Sequence, residues 1–339
     1  MSSLSISNSE MNGGGYLRKA AILLTPLFFA AVLNNYWIGT LRDDVSGPTE
    51  PACIENSFKD VLRRHYACIA LGNSRILLGL NPDKLSIPCY NFAFQADSFD
   101  VIYYKLLFLE KHAALPRLLI LGVDDYQFAN LDQTRRRHYA PFFPPEFESD
   151  VSQTVPTFLG RALNSFFHPL SNDVFNEYMT THYSQTLDLS VKYITARLQG
   201  RPVQPRFVQK ENGQYLVRGV EATAYEHVDR STTRLPLQVD YFDRALNFAR
   251  RNHIRVFVVL SPFRKTSLTC YRKDIVQEFV EFVEGKMTGK TTTFLSFADD
   301  PAYTIGDFID GDHLNPAGAD KFSASLDERI RKVWRNDAR

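Results

Sequence analysis

The feature that most constrains this chain is a charge-free apolar run, Leu118-Leu119-Ile120-Leu121-Gly122. Without polar alternation, such a run suits a central parallel strand buried on both faces. Val256-Phe257-Val258-Val259-Leu260 repeats the pattern and ends at Ser261-Pro262. His65 to Ala70, Ile87 to Phe94 and Thr293 to Phe297 are shorter strand candidates. Between them lie helical patterns at Phe99–His112, Tyr241–Arg250, Val276–Val283 and Gly318–Trp334. Strands alternating with helices predict an α/β fold, a three-layer α/β/α sandwich around a parallel sheet. In such sheets ligands bind beyond the carboxyl ends of the strands.

Two motifs fall at that edge. After the first strand comes Leu71-Gly72-Asn73-Ser74-Arg75. Gly72 permits a tight turn, and Ser74 opens the next helix, where backbone N–H groups favour negative charge. A serine needs a base to become a nucleophile. Far along the chain stands Asp310-Gly311-Asp312-His313, in a loop before the closing helix. An Asp three residues before a His can bond one ring nitrogen and leave the other for a serine. Ser74, His313 and Asp310 are thus the predicted nucleophile, base and orienting carboxylate. Asp312 is the competing carboxylate, but adjacent side chains in an extended loop diverge. Asp307, Asp310, Asp312 and His313 also form an oxygen-rich set of the kind that holds calcium or magnesium. Their spacing lacks a calcium-loop pattern, so no metal and no cofactor is expected.

Together the motifs resemble the SGNH (GDSL-like) hydrolase superfamily, whose serine lies in a Gly-Asp-Ser-type turn and whose Asp and His share a late D-x-x-H loop. The phrase Leu71 to Arg75, followed by Gly79-Leu80-Asn81-Pro82, is most similar to its membrane-anchored branch, with proteins of teichoic-acid D-alanylation and exopolysaccharide O-acetylation. The resemblance covers about residues 65–125 and 250–335. It implies an SGNH/flavodoxin-like sheet and a serine esterase or acyltransferase. It also implies oxyanion donors from an Asn-x-Gly block and a Gly-x-Asn-Asp block. Here the first reads Asn91-Phe92-Ala93, with Ala93 in the glycine's place, and the second Gly122-Val123-Asp124-Asp125. Ala93 keeps its backbone N–H. Asp124, when ionised, only accepts hydrogen bonds, and Gln95 is a substitute candidate. The branch often works beside a membrane-bound O-acyltransferase, on polysaccharide or another acylated envelope polymer.

At 339 residues the chain accommodates one large domain with an insertion. Its formal net charge of +1 leaves no nucleic-acid footprint. Residues 1–19 are expected to form a disordered cytoplasmic tail and 20–41 an uncleaved transmembrane anchor, flanked by Arg18 and Lys19 before it and Tyr36 and Trp37 within its far end. Residues 42–64 form a linker and short helix. The main domain spans 65–335, on the periplasmic or outer side of the membrane, with an insertion at about 126–234. The insertion carries Arg135-Arg136-Arg137 and the aromatics Tyr139, Phe142, Phe166, Phe167, Tyr178 and Tyr183. These are expected to fill a small core of the insertion, the alternative being rings that stack on sugars. Cys68 and Cys89 read as buried thiols rather than a bridge. The rival functional class is a non-catalytic module of the same fold that binds polysaccharide or scaffolds an envelope assembly.

Overall fold

A computed structural model describes residues 50–129, 138–149, 207–217, 233–264, 273–289 and 291–337, with Thr25, Thr195, Leu198 and Gln199. The chain divides into two compact units, Met1–Gly47 with Ser165–Pro205, and Pro48–Asn164 with Arg206–Arg339. Every element below belongs to the second unit. The expected anchor at 20–41 and the Arg135–Arg137 run lie outside the described residues, as do Phe166, Phe167, Tyr178 and Tyr183. Among the described residues no helix is long and apolar enough to cross a membrane.

In chain order, α1 (Glu50–Asp60) leads to β1 (Cys68–Leu71) and the short α2 (Ser74–Gly79). A 3-10 turn at Pro82–Lys84 precedes β2 (Cys89–Asn91), α3 (Phe99–Lys111) and β3 (Leu118–Gly122). Then come α4 (Asp125–Ala129), α5 (Glu146–Ser149) and the hairpin β4 (Phe207–Gln209) and β5 (Tyr215–Val217). The alternation resumes with α6 (Pro236–Arg251), β6 (Arg255–Leu260), α7 (Lys273–Lys286), β7 (Thr292–Ser296) and α8 (Pro316–Asp337).

Five strands form one parallel sheet in the order β2-β1-β3-β6-β7, flanked by helices. The apolar runs are its centre: Leu119, Ile120, Leu121 and Phe257 to Leu260 are fully buried. Each such side chain contributes roughly 1.5–3 kcal/mol by leaving water. Helix α3 packs on α6 through Tyr103 and Tyr104 against Tyr241. Helix α8 packs on α2 and holds the following turn, where Asn81 N–H donates to Ser323 Oγ at 2.8 Å. The strand order reverses direction between β1 and β3. Their carboxyl ends flank a topological switch point, where open α/β sheets bind ligands.

Two expectations are corrected. Cys68 and Cys89 are joined in a disulfide instead of standing as thiols. They are register partners on adjacent parallel strands with Cα atoms 4.3 Å apart, so their side chains leave the same face together. A separation of 21 residues in sequence hides that register. Cys53 is buried, and Cys270 lies outside the described residues. Secondly, Tyr139 and Phe142, the two described rings of that set, pack against Phe58 of the main core. Phe142 stacks on Phe58 of α1 at 4.2 Å, and Phe147 meets Tyr104 of α3 edge-on at 5.0 Å.

The hairpin closes over the edge strand β2. Asn91 N–H donates to Asn212 O at 2.9 Å. Gly213, at the turn, has φ +83°, and a Cβ there would lie 2.1 Å from Asn91 O. Only glycine permits that approach, which covers an otherwise open sheet edge.

Candidate active site

The turn before Ser74 is built by two glycines. A Cβ on Gly72 would stand 2.7 Å from Ile76 Cγ1 and 3.2 Å from Gly122 Cα. A Cβ on Gly122 would stand 2.1 Å from the same Ile76 atom. Their absence lets α2 drop between the carboxyl ends of β1 and β3. Asn73 caps the helix, its Oδ1 accepting the Arg75 N–H at 3.1 Å. Ser74 is thereby delivered half-buried at the sheet edge.

The histidine loop is folded by its own aspartate. Asp310 Oδ1 accepts the backbone N–H groups of Asp312 and His313, each at 2.8 Å. Ile309 N–H donates to His313 O at 2.8 Å, and Phe308 pairs with Leu314 as an isolated bridge. These bonds set the ring. His313 Nδ1 lies 2.9 Å from Asp310 Oδ2, and Nε2 lies 2.8 Å from Ser74 Oγ. Burial pushes Asp310 up, but the His313 hydrogen bond and charge, with the two backbone donors, outweigh it and lower its pKa to about 2. It is ionised at neutral pH. It therefore accepts from Nδ1–H and leaves Nε2 as the acceptor for the serine hydroxyl.

The oxyanion candidates stand differently. Ala93 N–H faces Asn91 Oδ1 at 3.2 Å. Gln95 is half-buried on the same loop. Asp124 is buried, and both its oxygens accept: Oδ1 from Gln127 N–H at 2.9 Å, Oδ2 from Asn73 Nδ2 at 2.5 Å. Arg75 Nε lies 3.6 Å from the same Oδ2. Burial raises the Asp124 pKa, and Arg75 with the hydrogen-bond donors offsets this only in part.

Further residues that neither motif marks join the site. Arg75, Asn73 and Gln127 surround Asp124. Asp312 does not compete for the His313 ring; its carboxylate pairs with Arg75. Further out, Lys105 is buried within α3 and lies 2.6 Å from Asp97 Oδ2. Lys105 also donates to Phe92 O at 2.8 Å, and Tyr139 OH to Asp97 Oδ1 at 2.5 Å. Gln127 Nε2 donates to Asp97 O at 3.1 Å, joining this cluster to Asp124. A signal existed for Arg75, since a charge in the first turn of a core helix needs a partner.

The carboxylates of the metal alternative face apart. Asp307 serves Thr304 and Lys321, Asp312 serves Arg75, and Asp310 serves His313. A cleft of about 450 Å³ lies elsewhere, lined by Val276, Val280, Ser296, Asp300 and Arg329. None of the predicted site residues lines it.

No family model matches the chain, and no curated protein does. One solved structure, from Streptococcus pneumonia and provisionally described as a platelet activating factor, aligns at a TM-score of 0.38. It is 12% identical, over 89% of this chain and 98% of its own.

Proposed function

We propose that this chain is an SGNH-type serine acyl esterase or O-acyltransferase. The observation that carries the reading is the continuous relay Asp310–His313–Ser74, with contacts of 2.9 and 2.8 Å. The sheet order, equivalent to 2-1-3-4-5, and the helices on it support a flavodoxin-like three-layer sandwich with the relay at its switch point.

In this reaction His313 Nε2 takes the Ser74 proton as Oγ attacks an acyl carbonyl. The imidazolium is held by ionised Asp310 and returns the proton to the leaving alcohol. An acyl-enzyme remains on Ser74. His313 then deprotonates water, giving hydrolysis, or a sugar hydroxyl, giving transfer. The Ser74 N–H, at the start of α2, has no acceptor within its helix and is the first oxyanion donor. Ala93 N–H is the second, released from Asn91 Oδ1 as the oxyanion forms.

The wider setting belongs to the same proposal. The uncharged stretch at 20–41 supports a membrane anchor. The Cys68–Cys89 bridge supports an oxidising, extracytoplasmic compartment. An acylated envelope polysaccharide is the proposed substrate, and a membrane-bound O-acyltransferase the proposed partner.

A second reading, a non-catalytic binding module, is favoured by one observation: Asp124 accepts where the resembled family donates. Turnover of an acetyl ester separates the two. Ser74→Ala and His313→Ala should each abolish it in a folded protein. Turnover unchanged in Ser74→Ala would end the esterase reading.

A further inference from the structure

Arg75 directly follows Ser74, and Asp312 directly precedes His313. The two loops therefore touch twice: Ser74 meets His313, and Arg75 Nη2 meets Asp312 Oδ1. Arg75 is only 7% exposed, and its guanidinium lies over the Phe263 ring, 4.5 Å from the centroid. Its Nε faces Asp124, which in turn holds Asn73. Residues 73 and 75 are thus tied to Asp124 beyond β3, and residues 74 and 75 to the Asp310–His313 loop. Burial works against the Arg75 charge, but Asp312, Asp124 and Asp125 outweigh it and raise its pKa, so it remains a cation. Its Nη1 is buried with no hydrogen-bond partner among the described residues. An unpaired buried donor is a cost, and it calls for an explanation beyond packing.

We propose that Arg75, through Asp312, is the positioning residue that holds the His313 loop against Ser74 throughout the reaction. The inference rests on the serine-hydrolase reading above. Its physical basis is a difference between the two contacts. The Ser74–His313 bond is broken and remade as the proton moves to the ring and on to the leaving group. Neither Arg75 nor Asp312 exchanges a proton in those steps, so their ion pair persists while the other contact is open. A loop held only by the reacting bond would swing away once that bond is lost. Displacement of a reacting group by about 1 Å can cost on the order of a hundredfold in rate.

Removing Arg75 strands Asp124 in the interior, so Arg75→Gln also perturbs folding. Asp312, with a side chain 24% exposed, is the better handle. The experiment compares wild type, Asp312→Asn, Asp312→Glu and the exposed-helix control Glu328→Gln, each as the full chain. It measures kcat and KM for an acetyl ester, the thermal midpoint, and the His313 Nδ1–H proton resonance, assigned by its loss in His313→Ala. Asp312→Asn should lower kcat by about 10- to 100-fold, with KM within about threefold and the fold intact. Its Nδ1–H resonance should shift or broaden, Asp312→Glu should recover part of both, and Glu328→Gln should change neither. A kcat within twofold of wild type with an unmoved resonance overturns the proposal. If wild type turns over no ester, the proposed function fails on its own. The resonance then decides the clamp: a shift confined to Asp312→Asn supports it, and an unmoved signal overturns it.

Discussion

Asn73 Nδ2 donates to Asp124 Oδ2 across 2.5 Å, linking the residue before the serine to the end of β3. In the resembled motifs the acid precedes the serine and the amide follows the strand; here the two are exchanged. The pair keeps one donor and one acceptor, but the carboxylate now also neutralises Arg75. Asp124→Asn alone should therefore destabilise the protein by about 1–3 kcal/mol, the cost of an unsatisfied buried partner. Asn73→Asp alone should do at least as much, because it sets two carboxylates face to face. The double variant Asn73→Asp/Asp124→Asn should regain a substantial part of the loss. Denaturant unfolding of the four proteins is the check, and additive losses would show that the two residues are not coupled.

Asp310 supplies an acid-dependent part of the stability. Its pKa falls from 3.8 to about 2 on folding. A lowered carboxylate pKa gives stability that is complete above about pH 4 and is lost as pH falls toward about 2. With a third of the side chain exposed, solvent screening reduces the effect to about 1–2 kcal/mol. Melting curves between pH 5 and 2 should show wild type losing this increment. Asp310→Asn should begin lower and run flatter over the same range.

Lys105 and Asp97 form a fully buried ion pair that also binds the 92–97 loop through Phe92 O. Burial lowers the Lys105 pKa and raises that of Asp97, and the attraction of each for the other offsets this only in part. Lys105→Met should cost about 3–5 kcal/mol, because it leaves a buried carboxylate without its cation. Since that loop carries Ala93, the variant should also lose activity. Full activity in Lys105→Met would show that the loop does not need this anchor.

The Cys68–Cys89 bridge ties the strand before Ser74 to the strand after it. Closing a loop of that size removes roughly 3 kcal/mol of unfolded-state freedom in the chain-entropy model. Reduction, or Cys68→Ala/Cys89→Ala, should lower the thermal midpoint by several degrees. Peptide mapping without reductant should recover residues 68 and 89 linked.

How legible the fold was follows from where each signal lies. Leu118–Gly122 and Val256–Leu260 announced themselves because a strand buried on both faces has no polar positions. Ser74, Asp310 and His313 were legible because the turn and the D-x-x-H spacing are local. The Arg75–Asp312 pair joins residues 237 apart, and nothing local in either motif names the other. Lys105 was hidden within an apolar helical stripe, since its partner Asp97 lies outside the helix. The disulfide depended on strand register, which periodicity does not reveal. The apolar pattern over Ile87–Phe94 overshoots the strand: β2 stops at Asn91, whose side chain turns back to the carbonyls of Ile76, Leu77 and Leu80.

We propose Ser74 as a nucleophile activated by His313. The most direct test is covalent labelling with a serine-directed phosphonate, followed by mass spectrometry of the peptide containing Ser74. The account predicts one adduct on Ser74, absent in Ser74→Ala, and slowed at least a hundredfold in His313→Ala, since the base contributes about 10²–10⁴ in rate. An unlabelled Ser74 in the folded protein, or labelling at equal rate without His313, would contradict it.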